Sequence, residues 1–298
     1  MTEITSPPPV FADRVAPLRK QKSTLERLFA HRLFVTGLVL FALMVIMAVF
    51  ADWIATHNPV QVRARFRFRA PDMDNFFGTD NFGRDIFTRV VYGARMSIMI
   101  GFATVAFTAI IGTACGLIAG YFRRIDNVLM RIMDALMAFP TLVLALALAA
   151  ALGPSAFNIV VALTTVYVPR TARIVRASVL VIRDADYVHA ARAVGASNLR
   201  IMLEHILPNS MAPLVVQLTF VFAYAVIAEA VFSFLGVGPP PPTPSWGNII
   251  AEGKDYIREA AWITLFPGIA ISMTVLGLNL LGDGLRDVLD PRMNVENR

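Results

Sequence analysis

Long apolar stretches, each bounded by charged or turn-forming residues, recur along the chain from residue 33 onward. A helix needs roughly 20 predominantly apolar residues to cross the hydrocarbon core of a bilayer. Six stretches approach this length, and they predict membrane-spanning helices over residues 33–51, 98–120, 135–153, 155–169, 211–236 and 261–282. The pattern therefore predicts an all-α integral membrane protein with six transmembrane helices.

The connections between these stretches predict the topology. Cytoplasmic loops of membrane proteins carry an excess of Lys and Arg, and the short connections with such an excess place both termini in the cytoplasm. The chain then divides into a cytoplasmic N-terminal tail, a first transmembrane helix, an extracytoplasmic loop, a transmembrane core and a C-terminal tail. These segments are residues 1–32, 33–56, 57–97, 98–292 and 293–298, and the core includes a cytoplasmic loop at about 177–210.

Composition agrees with a membrane protein. Of the 298 residues 56% are hydrophobic and only 16% are charged, whereas about a quarter of a soluble domain is charged. The net charge of +6 could indicate a nucleic-acid partner. Because the charges alternate with long apolar stretches, they fit the cytoplasmic ends of membrane helices instead. We expect membrane lipid as a partner and no nucleic acid.

No motif in the chain indicates an enzyme. A GxxxxGK[ST] sequence for binding ATP phosphates is absent. The four histidines and the single cysteine show no spacing typical of a metal site. No arrangement of a nucleophile with a base is evident. We therefore expect neither a catalytic residue nor a cofactor or metal bound by this chain.

Two groups of arginines stand out. Every third residue is an arginine just after the fourth predicted span, which indicates a helix that continues into the cytoplasm with one basic face; headgroup anchoring and a partner contact both fit it. These residues are Arg170, Arg173 and Arg176. Arginines also alternate with apolar residues over 63–69, a strand-like period. A contact with an acidic binding protein, attachment to anionic headgroups and simple solvation all fit this second group.

The cytoplasmic loop has the features of a docking element. Asp184 or Asp186 can cap a short helix, and Gly195 can end it in a left-handed conformation. Ser197 can cap a second helix, which Pro208 would end. The first helix carries a narrow apolar stripe that could lie in a groove on another protein, formed by Tyr187, Ala190, Ala191 and Val194.

The spacing of residues in this loop resembles the EAA loop of binding-protein-dependent ABC importer permeases. The matching positions are Ala190, Ala191, Gly195, Leu207 and Pro208. His189 stands where the family pattern has glutamate, and His205 where it has isoleucine, as in the peptide-importer branch. In that family the loop forms the coupling helix that docks on the ATPase. The resemblance implies this role for Tyr187, His189, Ala190, Ala191, Val194, Gly195, Leu207 and Pro208.

Three further segments are similar to dipeptide, oligopeptide and nickel permeases. One precedes the second span and includes Gly78, Thr79, Asp80, Gly83, Arg84 and Asp85. Another runs from Glu229 through Gly238-Pro239 to Trp246-Gly247, and the last from Asn279 to Pro291. Asn75-Phe76 departs from the family's His-Pro, and the proline run 239–242 is longer than usual. The resemblance covers about residues 33–292 and is strongest to the "C" member of the paired permeases.

The resemblance implies a type I ABC importer permease in the bacterial inner membrane. The expected partners are a homologous second permease, two ATP-binding-cassette ATPases that hold ATP and Mg²⁺, and an extracytoplasmic solute-binding protein. The expected cargo is peptides, with nickel chelates, glutathione or another small solute as alternatives in the same branch. An ion-driven secondary transporter and a membrane scaffold are the competing hypotheses from other classes.

Glu229 is the one acid well inside a predicted span. An ionised carboxylate inside a membrane is costly, so it is expected to face a partner helix or a water-filled path. Both interpretations stand at this point: a position on the translocation path, or a hydrogen-bonded contact at a helix interface. Gly112, Gly116 and Gly120 in the second span indicate close helix packing.

Overall fold

The computed structural model describes residues 23–289, and this part of the chain is helical apart from its loops. The only pairing of extended backbone in that range is one isolated bridge between Thr79 and Asp85. Most of the predicted N-terminal tail, Pro291 and the predicted C-terminal tail 293–298 lie outside the described residues. The α-helices are α1 (Thr24–Ala30), α2 (Arg32–Val49), α3 (Ala51–Ile54), α4 (Ile86–Tyr121), α5 (Arg123–Met137), α6 (Thr141–Leu152), α7 (Ala156–Ile182), α8 (Asp186–Ala193), α9 (Asn198–Arg200), α10 (Met211–Phe234), α11 (Trp246–Gly253) and α12 (Trp262–Leu289).

Shorter helical turns complete the connections. Among the described residues, three 3₁₀ turns lie outside the long helices, two of them at Ala64–Phe66 and Lys254–Tyr256. A π-helix over Ile201–Ile206 and a 3₁₀ turn over Pro208–Ser210 join α9 to α10. Within residues 23–30 the predicted tail forms α1, which begins with a capping box between Ser23 and Glu26.

Four helices are long and apolar enough to cross a membrane: α2, α4, α12, and α10 with its preceding 3₁₀ turn. The pair formed by α5 and α6 is also apolar enough, but it is bent by 87°. The described residues thus supply four candidate spans, or five with the bent pair. They confirm the prediction of an all-α membrane protein. The predicted number of six transmembrane helices is not confirmed, because among the described residues only these helices are long and apolar enough to cross a membrane.

The third predicted span, residues 135–153, is not one continuous helix. The chain leaves α5 at Ala138 and begins α6 after Pro140, with the two helix axes nearly perpendicular. Proline has no N–H to donate and disfavours helical backbone in the residue before it. Pro140 therefore breaks this span. Pro267, in contrast, lies within the continuous helix α12.

The second predicted span begins earlier than its apolar stretch. Helix α4 has 36 residues and begins at Ile86, because the Asp85 side chain accepts a hydrogen bond from the Thr88 N–H and caps it. Its first turns contain Arg89, which is fully buried. A prediction based on apolar residues leaves this turn out of the helix because it contains a charged residue. The Arg89 charge is nevertheless neutralised inside the protein.

The pair α4 and α7 forms the centre of the bundle, and small residues let them approach closely. A Cβ atom built on Gly116 would lie 2.6 Å from the Ala172 carbonyl oxygen, and one on Gly120 would lie 2.6 Å from the Val179 Cβ. These distances confirm that the glycines of α4 serve helix packing. Helices α2 and α12 form a second close pair, in which Gly37 faces the backbone of Leu281.

Helix α7 continues through Pro169 to Ile182, as the arginine spacing predicted. Two arginines of its basic face pair with α5: Arg173 with Asp134, and Arg176 with Asp126 through two hydrogen bonds of 2.5 and 2.6 Å. The basic face is thus largely neutralised within the chain. Only Arg170 of the three has no hydrogen bond or ion pair to another described residue.

Candidate functional site

The cytoplasmic loop predicted to carry the function forms a short helix with a defined end. Helix α8 ends in a Schellman motif: the Gly195 N–H donates to the Arg192 carbonyl and the Ala196 N–H to the Ala191 carbonyl, both at 3.0 Å. Gly195 has a φ of +85°, which confirms the predicted left-handed turn. The start differs from the expectation, because Ala185 is the N-cap and neither Asp184 nor Asp186 caps the helix with its side chain.

Opposite faces of α8 have opposite environments. Val188 is fully buried in a cluster with Val179, Ile201 and Ile206, and this cluster holds the helix on the bundle. On the other side, Tyr187 is 47% exposed and Val194 is 86% exposed. Ala190 and His189 are exposed as well, whereas Ala191 is half-buried. The predicted stripe is therefore an apolar surface that the described residues cover only in part.

The segment after Gly195 returns the chain to the membrane. Ser197 caps α9 by accepting a hydrogen bond from the Arg200 N–H, as predicted. The Tyr121 hydroxyl at the end of α4 lies 2.7 Å from the Asn198 side-chain oxygen. Pro208 does not end the helical path, which was the prediction; it follows the π-helix and starts the 3₁₀ turn that leads into α10, and Leu207 before it keeps helical dihedral angles.

On the opposite end of the bundle, the loop before α4 is organised around a buried ion cluster. The Asp80 carboxylate accepts hydrogen bonds from Arg84 at 2.6 Å and from Arg89 at 2.7 Å. Both arginines also reach the Glu252 carboxylate of α11. Asp80 is fully buried and Arg89 is 1% exposed, so two positive and two negative charges balance inside the protein.

The other residues of this outer motif shape the same loop. Gly78 and Gly83 both have a φ of +72°. The Thr79 hydroxyl accepts a hydrogen bond from the Arg69 N–H at 2.9 Å and donates to the Phe66 carbonyl. Asp85 caps α4. The structure thus brings together all six predicted residues of the motif, and it adds Glu252, which has no distinguishing signal in the sequence.

The arginines at 63–69 do not form a strand with one cationic face. Ala64–Phe66 is a 3₁₀ turn, and Arg63 donates to the Asn75 side-chain oxygen at 2.9 Å. The Arg63 and Arg69 guanidinium groups lie 5.4 and 5.5 Å from the Phe66 ring centre. Arg69 also pairs with Asp72, whose carboxyl pKa is held below its usual value by the backbone N–H of Asn75 and by Arg69. The alternation of arginines and apolar residues therefore does not produce a strand here, because cation–π and polar contacts determine the conformation of this segment.

Glu229 lies at a helix interface. Its carboxylate accepts hydrogen bonds from Ser97 of α4 at 2.6 Å and from Ser233 of α10 at 2.7 Å, and Ser245 before α11 is a third partner. The Glu229 side chain is fully buried. Next to it, the Trp246 ring is buried and its N–H donates to the Val90 carbonyl at 2.9 Å. The carboxylate thus joins α4, α10 and the segment that leads into α11.

We predict that Glu229→Leu lowers the melting temperature of the purified protein, because it leaves buried serine hydroxyls without their acceptor. Each such group costs about 1–3 kcal/mol. Glu229→Gln keeps one acceptor oxygen and is expected to have a smaller effect. Glu259→Gln, the same change at an exposed position, is the control and should leave the melting temperature unchanged. A Leu variant as stable as the native protein would show that the contact is dispensable.

Comparison with known proteins agrees with this architecture. Residues 112–295 match the family described as the binding-protein-dependent transport system inner membrane component. Residues 22–71 match the N-terminal TM domain of oligopeptide transport permease C. The chain is 56% identical to a putative peptide transport system permease protein of Brucella abortus biovar 1 (strain 9-941), with 92% of each chain covered.

Further relatives align over most of their own length. The dipeptide transport system permease protein DppC of Alkalihalophilus pseudofirmus is 42% identical, with 98% of this chain and 95% of that one covered. DppC of Escherichia coli (strain K12) is 44% identical, with 87% and 89% covered. A chain of the MetNI methionine ABC transporter in an inward-facing conformation has the same fold at 20% identity, with a TM-score of 0.57 and 69% of this chain and 98% of that one covered.

The bundle, the folded outer loop and these relatives lead to one assignment. The chain is a multi-pass membrane protein and a permease subunit of a transport system that depends on a binding protein. Such a permease subunit is not an enzyme. The chain belongs to the family of binding-protein-dependent transport system inner membrane components and resembles the C-type peptide permeases within it.

Proposed function

We propose that this chain forms half of the translocation path of an ATP-driven importer of peptides. Its partners are a homologous second permease, two ATP-binding-cassette ATPases that bind ATP and Mg²⁺, and an extracytoplasmic solute-binding protein. The single observation that carries the proposal is the exposed apolar stripe of α8, which is held on the bundle by Val188 and presented away from it. Peptides are the cargo because relatives named for peptide transport are 40–56% identical over most of the chain.

Six membrane crossings, with both termini in the cytoplasm, fit this function. The crossings are the four long apolar helices, the bent pair of α5 and α6, and α7. Helix α7 has 27 residues, enough to cross a core about 30 Å thick. The pairing of Arg173 and Arg176 with acids of α5 lowers the cost of its charges. Four of these crossings lie between α1 and α8, so both helices are on the same, cytoplasmic side of the membrane.

Coupling between ATP and transport is assigned to α8. A narrow stripe with alanine at its centre lets another protein approach the helix backbone closely. When the ATPases close on ATP, α8 moves with the surface on which it lies. Because Val188 lies in one apolar cluster with Val179 of α7, the π-helix residue Ile206 and Leu214 of α10, this movement is expected to reach α7 and α10 through that cluster. The outer side then opens toward the docked binding protein, and hydrolysis returns the path to the cytoplasm.

Gly195→Val tests the turn that ends α8. A β-branched residue at a φ of +85° is strained by about 1–3 kcal/mol, and a Cβ at this position has no neighbouring atom within 4 Å. We expect peptide uptake to fall at least about tenfold while the folded protein still accumulates. Gly195→Asn is the matched control, because asparagine tolerates the left-handed region. Equal uptake by both variants would contradict a role for the turn in coupling.

Ala190→Arg tests the docking surface. A long charged side chain at the centre of the exposed stripe should keep the ATPase away. Affinity purification of the native chain from its membrane is expected to recover a second permease and two ATPases, as identified by mass spectrometry. The variant should recover the permease but less than about a tenth of the ATPases. Ala177→Arg, at an exposed position of α7, is the control; if both variants retained ATPases, α8 would not be the docking helix.

Peptide uptake is the direct test of the cargo. Cells that lack this chain are expected to take up a labelled dipeptide at background rate, and the native chain should restore uptake. Restored uptake should require ATP, and it should disappear when the binding protein is removed. Normal dipeptide uptake without the chain, in cells with no other peptide importer, would reject peptides as the cargo.

A further inference from the structure

A cavity between α7, α10 and α12 lies at the cytoplasmic ends of these helices and has two arginines in its wall. Its volume is about 540 Å³. The polar part of the wall consists of Arg170, Arg286, Gln217 and Asn209, and the rest includes Ile174 and Phe220. No Asp or Glu of the described range 23–289 lines it. The cavity therefore combines two positive charges with apolar walls.

No residue between 23 and 289 neutralises the charges in this cavity. Arg170 and Arg286 make no ion pair or hydrogen bond with any residue between 23 and 289, in contrast to Arg173 and Arg176 one and two turns further along α7. Gln217 is only 6% exposed, and its amide also has no partner among the described residues. Two guanidinium groups and an amide donor beside an apolar wall form a site suited to a carboxylate or phosphate group.

The surface around the cavity indicates which anion reaches it. The exposed face of α12 that includes Arg286 also carries Asp283 and Ser272, at helical spacing, together with the exposed apolar side chains of Ile269 and Leu276. Asp283 and Arg286, on the part nearest the cavity, would be costly against lipid tails, so this part of the face borders water or another protein. An anion that travels through water between permeases is therefore favoured over a lipid headgroup.

We propose that this cavity is an anion site on the translocation path, where Arg170 and Arg286 bind the carboxylate of the cargo before its release into the cytoplasm. The proposal rests on the peptide cargo proposed above, because every unmodified peptide ends in a carboxylate. Gln217 donates a further hydrogen bond to the same group, and the apolar wall accommodates the adjoining side chain. The arginines thus hold the cargo near the exit without a binding protein.

Cysteine labelling in the complete transporter tests the anion site. Val216 lines the cavity, and Val216→Cys in a Cys115→Ser background gives this chain a single thiol. Modification is measured by mass spectrometry with an anionic sulfonatoethyl and a cationic trimethylammonium-ethyl methanethiosulfonate. We expect the anionic reagent to react about tenfold faster relative to a free thiol, because two positive charges lie close by. If Val216→Cys does not assemble, Ala212→Cys reports from the same wall.

Variants of the arginines show where the preference comes from. Arg170→Gln together with Arg286→Gln should abolish the preference for the anionic reagent, and the two Lys replacements should retain it. Arg131→Gln removes one charge at an exposed position of α5 and should leave the preference unchanged. With the native arginines, equal rates for the two reagents, each taken relative to its rate with a free thiol, would overturn the proposal.

Protection experiments identify the anion. L-alanyl-L-alanine is expected to slow labelling at least about threefold, whereas L-alanyl-L-alaninamide, which lacks the carboxylate, should not. Both are measured in phosphatidylcholine liposomes with and without phosphatidylglycerol. Protection by phosphatidylglycerol alone would make this a lipid site, and equal protection by the amide would remove the role of the carboxylate; either result overturns the proposal. If the peptide cargo proposed above were wrong, dipeptide uptake would be absent while the preference for the anionic reagent remained. The two proposals can therefore fail independently.

Discussion

The close approach of α4 and α7 is the contact on which the rest of the structure depends. Glycines at 112, 116 and 120 remove the side chains that would separate the two helices. Helix α4, about 54 Å long at 1.5 Å per residue, begins in the buried ion cluster of Arg89 and ends beside the cytoplasmic loop, where Arg183 donates to the Gly120 carbonyl at 2.6 Å. Because α7 leads into α8, the central pair connects the loop before α4 with the proposed docking surface on α8 through packed helices.

The two ends of the bundle use polar chemistry differently. At the outer end, Asp80, Arg84, Arg89 and Glu252 neutralise one another, and Glu229 is enclosed by serine hydroxyls. At the end that carries α8, Arg170 and Arg286 remain unpaired within the described chain, and most of the α8 stripe is exposed. Satisfied groups fix a shape, whereas unsatisfied ones are available to a partner or a cargo. The division therefore separates a self-contained end of the bundle from the end at α8, which we propose other molecules complete.

The sequence predicts the local features well and the tertiary ones poorly. Long apolar stretches locate α2, α4, α10 and α12, and the left-handed turn at Gly195 follows from the chemistry of one residue. The extra turns of α4 are missed, because Arg89 counts as polar in a composition although Asp80 and Glu252 neutralise it. The break at Pro140 changes direction by 87°, whereas Pro267 leaves its helix continuous, since neighbouring contacts decide what a proline does in a membrane helix. Glu252 belongs to no motif in the sequence, and its pairing with Arg84 and Arg89 is visible only in the folded protein.

The pairing of α7 with α5 has a consequence for how the protein enters the membrane. An arginine at the centre of a membrane helix opposes insertion by about 2.5–3.5 kcal/mol, and three arginines lie in the second half of α7, the proposed fourth crossing. Two of these charges find their counter-ions, Asp126 and Asp134, on a helix that is synthesised earlier. With α7 as the proposed fourth crossing, we expect the segment from α5 to α7 to insert as one unit, with α7 entering the bilayer after α5 is available beside it. Insertion would then use the same two ion pairs that join α5 to α7 in the folded bundle.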